Sequence, residues 1–146
     1  MSILITPPPE VYNRSRAPTK TIAFDGTAGN GATGTVVVWT ITGRVWIERV
    51  SAFCTETLVG AATLEFGSTT TTTELIAQIA NATSLATNDW WTGSGSPASS
   101  GQAPAGAIDV YFSANPILTI AAANITDGTL VFDCWYSPLT AGASLT

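Results

Sequence analysis

From Thr35 to Thr55 the chain reads TVVVWTITGRVWIERVSAFCT, and its apolar positions fall in a period of two. Val37, Trp39 and Ile41 alternate with Val38, Thr40 and Thr42, a run of β-branched and aromatic residues suited to a pleated, half-buried surface. Gly43-Arg44 interrupts this run, which predicts a long β-hairpin whose second arm brings Val45 and Ile47 back beside Ile41 and Trp39. Past Ile47 the alternation slips: Glu48 and Arg49 are both charged, and the apolar series resumes at Val50, Ala52 and Cys54. One extra residue restores the phase, so Glu48-Arg49 is read as a β-bulge that bends the strand and keeps one face on the core. As the most apolar part of the chain, this hairpin is expected at the centre of a sheet.

The same period recurs on either side of it. Ile22 and Phe24 alternate with Thr21, Ala23 and Asp25 in a first strand, followed by the loop Gly26 to Gly34. That loop lacks the Lys-Ser/Thr ending of a phosphate-binding loop and precedes a strand rather than a helix, so a plain hairpin loop is expected. Leu64 and Phe66 share a face of TLEF; the threonine run Ser68 to Thr73 suits an edge strand or hairpin arm, and ELIAQI (74 to 79) fits a strand or a short helical turn. Residues 83 to 107 form the longest irregular region and contain Asn88-Asp89-Trp90-Trp91. In a strand from Ile108 to Phe112, Ile108, Val110 and Phe112 oppose Asp109 and Tyr111, and Ile117 to Ile120 is a further strand. Asp127-Gly128 signals a turn before a strand in which Leu130, Phe132, Cys134 and Tyr136 face in against Thr129, Val131, Asp133 and Trp135. The segment SPLTAGASLT is expected to be mobile. Short, regularly spaced strands with glycine-rich turns and almost no helix predict an all-β protein, a single antiparallel β-sandwich or jelly-roll-like domain over residues 19 to 146.

Residues 1 to 18 read differently. Pro7-Pro8-Pro9 favours polyproline II, and Ile3, Leu4 and Ile5 have no partner run beside them. They are read as an extended N-terminal arm, either a disordered leader or a segment that lies on a neighbouring subunit with Ile3, Leu4 and Ile5 as apolar anchor and Arg14 and Arg16 as clamp.

Composition sharpens the picture. At 146 residues the chain holds one domain with a real core, and only 10% of it is charged against the roughly 25% of an average soluble domain. So little charge points to a covered surface, hence a homo-oligomer, with a trimer favoured and a dimer as the alternative. Mean hydropathy is +0.29, but no apolar run approaches the ~20 residues of a membrane-spanning helix, and no membrane partner is expected. Arg14, Arg16 and Lys20 against Glu10 give the first twenty residues +2, leaving −7 on the remainder of a chain whose net charge is −5. That acidic body argues against nucleic acid as a partner. MSILITPPPE shows neither basic n-region nor sufficient apolar h-region, so the chain is expected to be made in a reducing cytoplasm with Cys54 and Cys134 as inward-facing free thiols.

Candidate chemistry is sparse. The chain has no histidine, and its one lysine opens the body, so the usual bases for a nucleophilic serine or cysteine are missing and no enzymatic activity is expected. Glu48, Glu56, Glu65, Glu74, Asp89 and Asp109 are the carboxylates available for glycoside chemistry, yet they are read as solvated surface because no motif places them. Two cysteines without histidine do not make a zinc site, and no cofactor is expected. Trp90 and Trp91 are the remaining candidates, as a sugar-stacking pair, as a protein anchor, or as filler at one end of a sandwich.

The order of segments KTIAFDGTAGNGATGTVVVWTITGRVWIERVSAFCTE, TLEFG, TNDWW and ITDGTLVFDCWYSPLTAGA resembles small virion structural proteins of tailed bacteriophages, of the capsid decoration or cement type, over residues 19 to 143. TGRVWIERVSAFCTE and ITDGTLVFDCWYSPL carry most of the likeness. The resemblance implies a β-sandwich that oligomerises and binds the outer surface of a capsid, with the major capsid protein as partner and the virion as location. It brings no catalytic residues. The alternative is a carbohydrate-binding or tail or head-fibre virion module that uses Trp90 and Trp91.

Overall fold

The computed structural model of the chain describes residues 14–99 and 109–146. Its strands are β1 (Ser15–Arg16), β2 (Lys20–Ala23), β3 (Gly34–Val37), β4 (Ile41–Thr42), β5 (Val45–Val59), β6 (Thr63–Gly67), β7 (Ile76–Ile79), β8 (Asp89–Trp91), β9 (Ala98–Ser99), β10 (Val110–Phe112), β11 (Ile117–Ala121), β12 (Asp127–Pro138) and β13 (Ser144–Leu145). One 3-10 turn, Ala82–Ser84, is capped by Asn81, whose side chain accepts from Thr83 N–H. None of the described helices is long and apolar enough to cross a membrane.

The fold is all-β, and every pairing between these strands is antiparallel. A seven-stranded sheet runs β1-β12-β5-β8-β9, with β2 also on β12 and β10 also on β5; a four-stranded sheet runs β3-β11-β6-β7; β4 and β13 form a small ribbon. The two larger sheets pack as a β-sandwich. Leu130, Phe132 and Cys134 of β12 and Val45, Ile47, Ala52 and Cys54 of β5 point inward and are buried, and so are Leu64, Phe66, Leu118 and Ile120 of the opposite sheet. The layers meet where the rings of Phe66 and Phe132 lie 5.1 Å apart. Trp39 touches both, 6.1 Å from Phe66 and edge-on to Phe132 at 6.4 Å, while its Nε1 donates to Pro18 O at 2.8 Å.

The expected hairpin over residues 35 to 55 does not form. β5 is central as anticipated, flanked by β12 and by β8 and β10, but the strand before it leaves for the other sheet: β3 pairs with β11, and β4 pairs with β13. Residues 38 to 40 are the crossing, with Val38 N–H donating to Pro116 O and Thr40 exchanging bonds with Thr146. Trp39 is what makes the crossing favourable, because at 1% exposure it fills the space between layers instead of lining one strand. The bulge is present: Trp135 lies opposite Arg49 and Tyr136 opposite Ile47, so Glu48 is the extra residue. Asp127-Gly128 proves to open β12 rather than to form a turn ahead of it, and the register slips there because β5 carries the extra residues opposite. Gly128 sits at φ +101°, and a Cβ there would come within 2.6 Å of Thr57 O.

Other expectations need correction. Gly26 to Gly34 is a passage between sheets, since β2 belongs to the larger one and β3 to the smaller. Ser68 to Thr73 is a turn organised by Ser68 Oγ, which accepts from the N–H groups of Thr70 and Thr71. ELIAQI resolves to strand β7. The region from residue 83 contains strands β8 and β9, and its last part, 100 to 107, lies outside the described residues, as does Ile108. The closing segment is tied down, with Ser144–Leu145 paired to β4 and Leu145 buried. Finally, the boundary expected between residues 18 and 19 falls inside the fold. Ser15 and Arg16 pair with Tyr136 and Trp135, Ala17 is 2% exposed, and Ala17 N–H donates to Cys134 O at 2.9 Å. Residues 1 to 13, including Ile3, Leu4 and Ile5, lie outside the described residues.

Candidate interaction face

Pleating sends successive residues of a strand to opposite sides, and the side of the larger sheet turned away from the core carries most of its uncommitted aromatic surface. Register fixes the rows. Tyr111 stands beside Trp46, which stands beside Ser137; Trp135 lies between Arg16 and Arg49; Asp133 lies opposite Ser51; Val131, Phe53 and Trp90 form one line across β12, β5 and β8. Two aromatic pairs result. Phe53 and Trp90 have ring centroids 4.6 Å apart, and Trp46 and Tyr111 6.1 Å. Among the exposed large apolar side chains, Tyr111 (74%), Leu139 (45%) and Trp135 (41%) line two depressions near this face.

The first depression holds Arg44, Tyr111, Phe112, Ser113 and Leu139. Beside it the Trp46 indole N–H is buried and has no hydrogen-bond partner among the described residues. The second is a groove of about 260 Å³ lined by Arg49, Val50 and Ser51 of β5, Asp133 and Trp135 of β12, and Trp90 and Thr92 at the end of β8.

Trp90 and Trp91 are therefore not a pair in any functional sense. Trp90 is half-buried on the outer face, whereas Trp91 is fully buried in the core and donates its Nε1–H to Ala77 O at 3.2 Å. Trp135 is the indole that shares the groove with Trp90.

The two arginines read as a clamp for another subunit are engaged at home. Arg14 pairs with Glu48, which also accepts from Ser137 Oγ at 2.6 Å, and Arg16 pairs with Asp133 at 2.5 Å. Asp133 Oδ1 additionally accepts from Thr19 Oγ1 at 2.7 Å. Burial pulls the Asp133 carboxyl upward, but the hydrogen bonds from Arg16 and Thr19 together with the Arg16 charge outweigh it and hold the group below the usual carboxylate range. Thus β1 is fastened to β12 by side chains as well as by its backbone. Arg49 forms no ion pair among the described residues.

Of the carboxylates read as solvated surface, Glu48 and Asp89 are not. Glu48 is held by Arg14 and Ser137, and Asp89, 9% exposed, accepts from Ala86 N–H at 2.9 Å and so closes the turn into β8. Asp25 is exposed, its carboxyl lowered by hydrogen bonds from Thr27 and Asn30 within its own loop. Among the described residues no three of His, Cys, Asp and Glu gather as a metal ion requires. Cys54 and Cys134 are free and buried. Burial raises both thiols, Cys134 to about 12 with a further contribution from the Asp133 charge. In register Cys134 faces Val50, four residues along β5 from Cys54, which places the two thiols roughly 13 Å apart at ~3.3 Å per residue, beyond the reach of a disulfide.

Not all sheet edges are equal. The free side of β7 is covered, because Ala77 N–H donates to Gly93 O and Ala77 O accepts from Trp91. At the other end of the same sheet, β3 (GTVV) has no strand beyond it among the described residues, bears no charged residue, and exposes Val37 at 54%.

Comparison with protein-family models, with curated proteins and with solved structures finds no match to this chain.

Proposed function

We propose that this chain is a structural virion protein that decorates and stabilises a bacteriophage capsid, binding its outer surface as an oligomer. The observation that carries the reading is the exposed apolar patch of Tyr111 and Leu139 beside the Trp46 ring, on a chain of which only 10% is charged. A patch with an aromatic anchor, a nearby arginine and a buried indole N–H without a partner among the described residues has the make-up of a protein-contact hot spot. It is assigned to the major capsid protein. The bare edge of β3 is assigned to contact between copies, a trimer being favoured over a dimer. The sequence resemblance to decoration proteins supports the same reading.

A sugar-binding module built on Trp90 and Trp91 together draws no support from this geometry, since Trp91 offers no open ring face.

The test is co-sedimentation with intact capsids of the encoding phage that lack the protein. Saturable occupancy is expected, and Tyr111→Asp and Leu139→Asp are expected to lower it at least tenfold while circular dichroism stays that of the parent, because a carboxylate in a desolvated contact costs more than the ~1.4 kcal/mol that tenfold represents. No capsid binding by the folded parent protein would overturn the proposal.

A further inference from the structure

We propose that the groove between Trp90 and Trp135 is a binding site for a neutral mono- or disaccharide, separate from the patch assigned to the capsid. Its make-up is mostly apolar with a few convergent polar groups, and its volume of about 260 Å³ falls just below the roughly 300–1,000 Å³ of drug-sized ligand clefts, as suits a smaller ligand. That is room for one or two sugar rings.

Each part of a pyranose finds a counterpart. Its C–H faces are weakly apolar and pack on aromatic rings; Trp135 is exposed, and the Trp90 ring is held in place by Phe53 at 4.6 Å. An indole braced from behind loses little entropy when a ligand lands on it. Adjacent hydroxyls of a sugar match a planar, two-pronged partner, and the Arg49 guanidinium is such a donor, without an ion-pair partner among the described residues. Asp133 supplies the acceptor. Arg16 and Thr19 both bond its Oδ1, so the same contacts that keep it ionised leave Oδ2 without a hydrogen bond among the described residues. At the groove wall Thr92 is 7% exposed and its hydroxyl has no partner among the described residues, which leaves a polar group there for a ligand to satisfy.

Charge selects among sugars. The groove presents the Arg49 donor beside Asp133, whose Oδ2 stays open as an acceptor; a ligand hydroxyl can donate to that oxygen, whereas a sulfate, phosphate or carboxylate placed there would be repelled by it. A neutral ring is the class that fits.

Tryptophan fluorescence of the full-length protein, titrated with the methyl glycosides of glucose, galactose, mannose and N-acetylglucosamine and with lactose and maltose, tests the assignment. At least one is expected to give a saturable change in the millimolar range. Trp135→Ala and Arg49→Ala are each expected to weaken it about tenfold or more, and Trp46→Phe to leave it unchanged. Capsid occupancy of Trp135→Ala is expected to equal that of the parent. No saturable change with any of the six up to ~50 mM, well above a millimolar dissociation constant, would overturn the assignment. So would tighter binding of methyl sialoside than of every neutral probe. Loss of capsid attachment in Trp135→Ala would show instead that the groove belongs to the capsid contact.

Discussion

Arg16 donates to Asp133 Oδ1 at 2.5 Å across the β1–β12 pairing, and the bond lies on the same carboxylate that borders the groove. The native pKa of Asp133 lies below its unfolded value near 3.9, so its contribution is fully present above that value and is lost as pH falls through the native one. Asp133→Asn is therefore expected to lower stability at pH 7 by about 1 kcal/mol or less, the range of a largely exposed pair, and the gap between variant and parent should be smaller in acid, below the unfolded value, than at pH 7. Urea melts at the two pH values measure it; a gap that widens in acid would contradict the pairing.

The tryptophan neighbours should separate cleanly in stability. Trp91→Ala empties a fully buried site and strands Ala77 O, for an expected loss of about 3–5 kcal/mol, whereas Trp90→Ala removes a ring packed at a tilt against Phe53 at the surface and should lose ~0.5–1.5 kcal/mol. Equal denaturation midpoints for the two variants would contradict the assignment of faces.

Both thiols should resist labelling in the folded protein. Cys134 at about 12 carries almost no thiolate at pH 8, and both sulfurs are buried, so alkylation is expected to yield zero modified cysteines in native buffer and two in denaturant. Intact mass reads the number directly, and zero in denaturant would mean a disulfide.

At Gly128 the backbone adopts φ +101° and an added Cβ would meet Thr57 O at 2.6 Å and Leu58 Cα at 2.7 Å. Gly128→Ala is expected to destabilise by about 1–3 kcal/mol or more, since both contacts are main chain and do not move aside. A melting temperature unchanged from the parent would show that the backbone there relaxes without cost.

If β3 is the edge that joins copies, Val37→Lys should dissociate the oligomer while leaving the sandwich folded, because a charge on a strand edge blocks further pairing. Sedimentation velocity is expected to show the parent above its 15.1 kDa chain mass and the variant at it.

Much of this arrangement was legible in the residue pattern and some was not, for reasons that differ by element. In β12 the alternation of Leu130, Phe132, Cys134 and Tyr136 against Thr129, Val131, Asp133 and Trp135 predicts both faces correctly, because a central strand buried on one side has a single workable phase. The Glu48 bulge was visible as a slip in that phase. The hairpin at Gly43-Arg44 failed because β propensity describes how a strand sits and not which strand it sits beside: Val36 fits next to Leu118 as well as it would have fitted in the expected hairpin. The anchoring of residues 14 to 18 depends on acids far along the chain, Glu48 and Asp133, and no local signal reports them. For the candidate groove the needed signal was present. Strand periodicity already separates Trp90 from Trp91 and puts Trp135 on the outer side of β12; what it lacked was the β5 register that carries the two indoles to one place.

The pairing of β5 with β12 also sets when the molecule can come into being. Cys54 lies opposite Leu130 and Val45 opposite Pro138, so the central strand has its main partner only after some eighty further residues have been made. Until then a fifteen-residue strand with an apolar inner face waits with one edge unpaired. Closing a loop of that length is slow, and the exposed strand is prone to join another chain in the meantime. Completion of the larger sheet is thus a late event during synthesis, because β12 brings the pairings to β1, β2 and β5 that no earlier strand can supply.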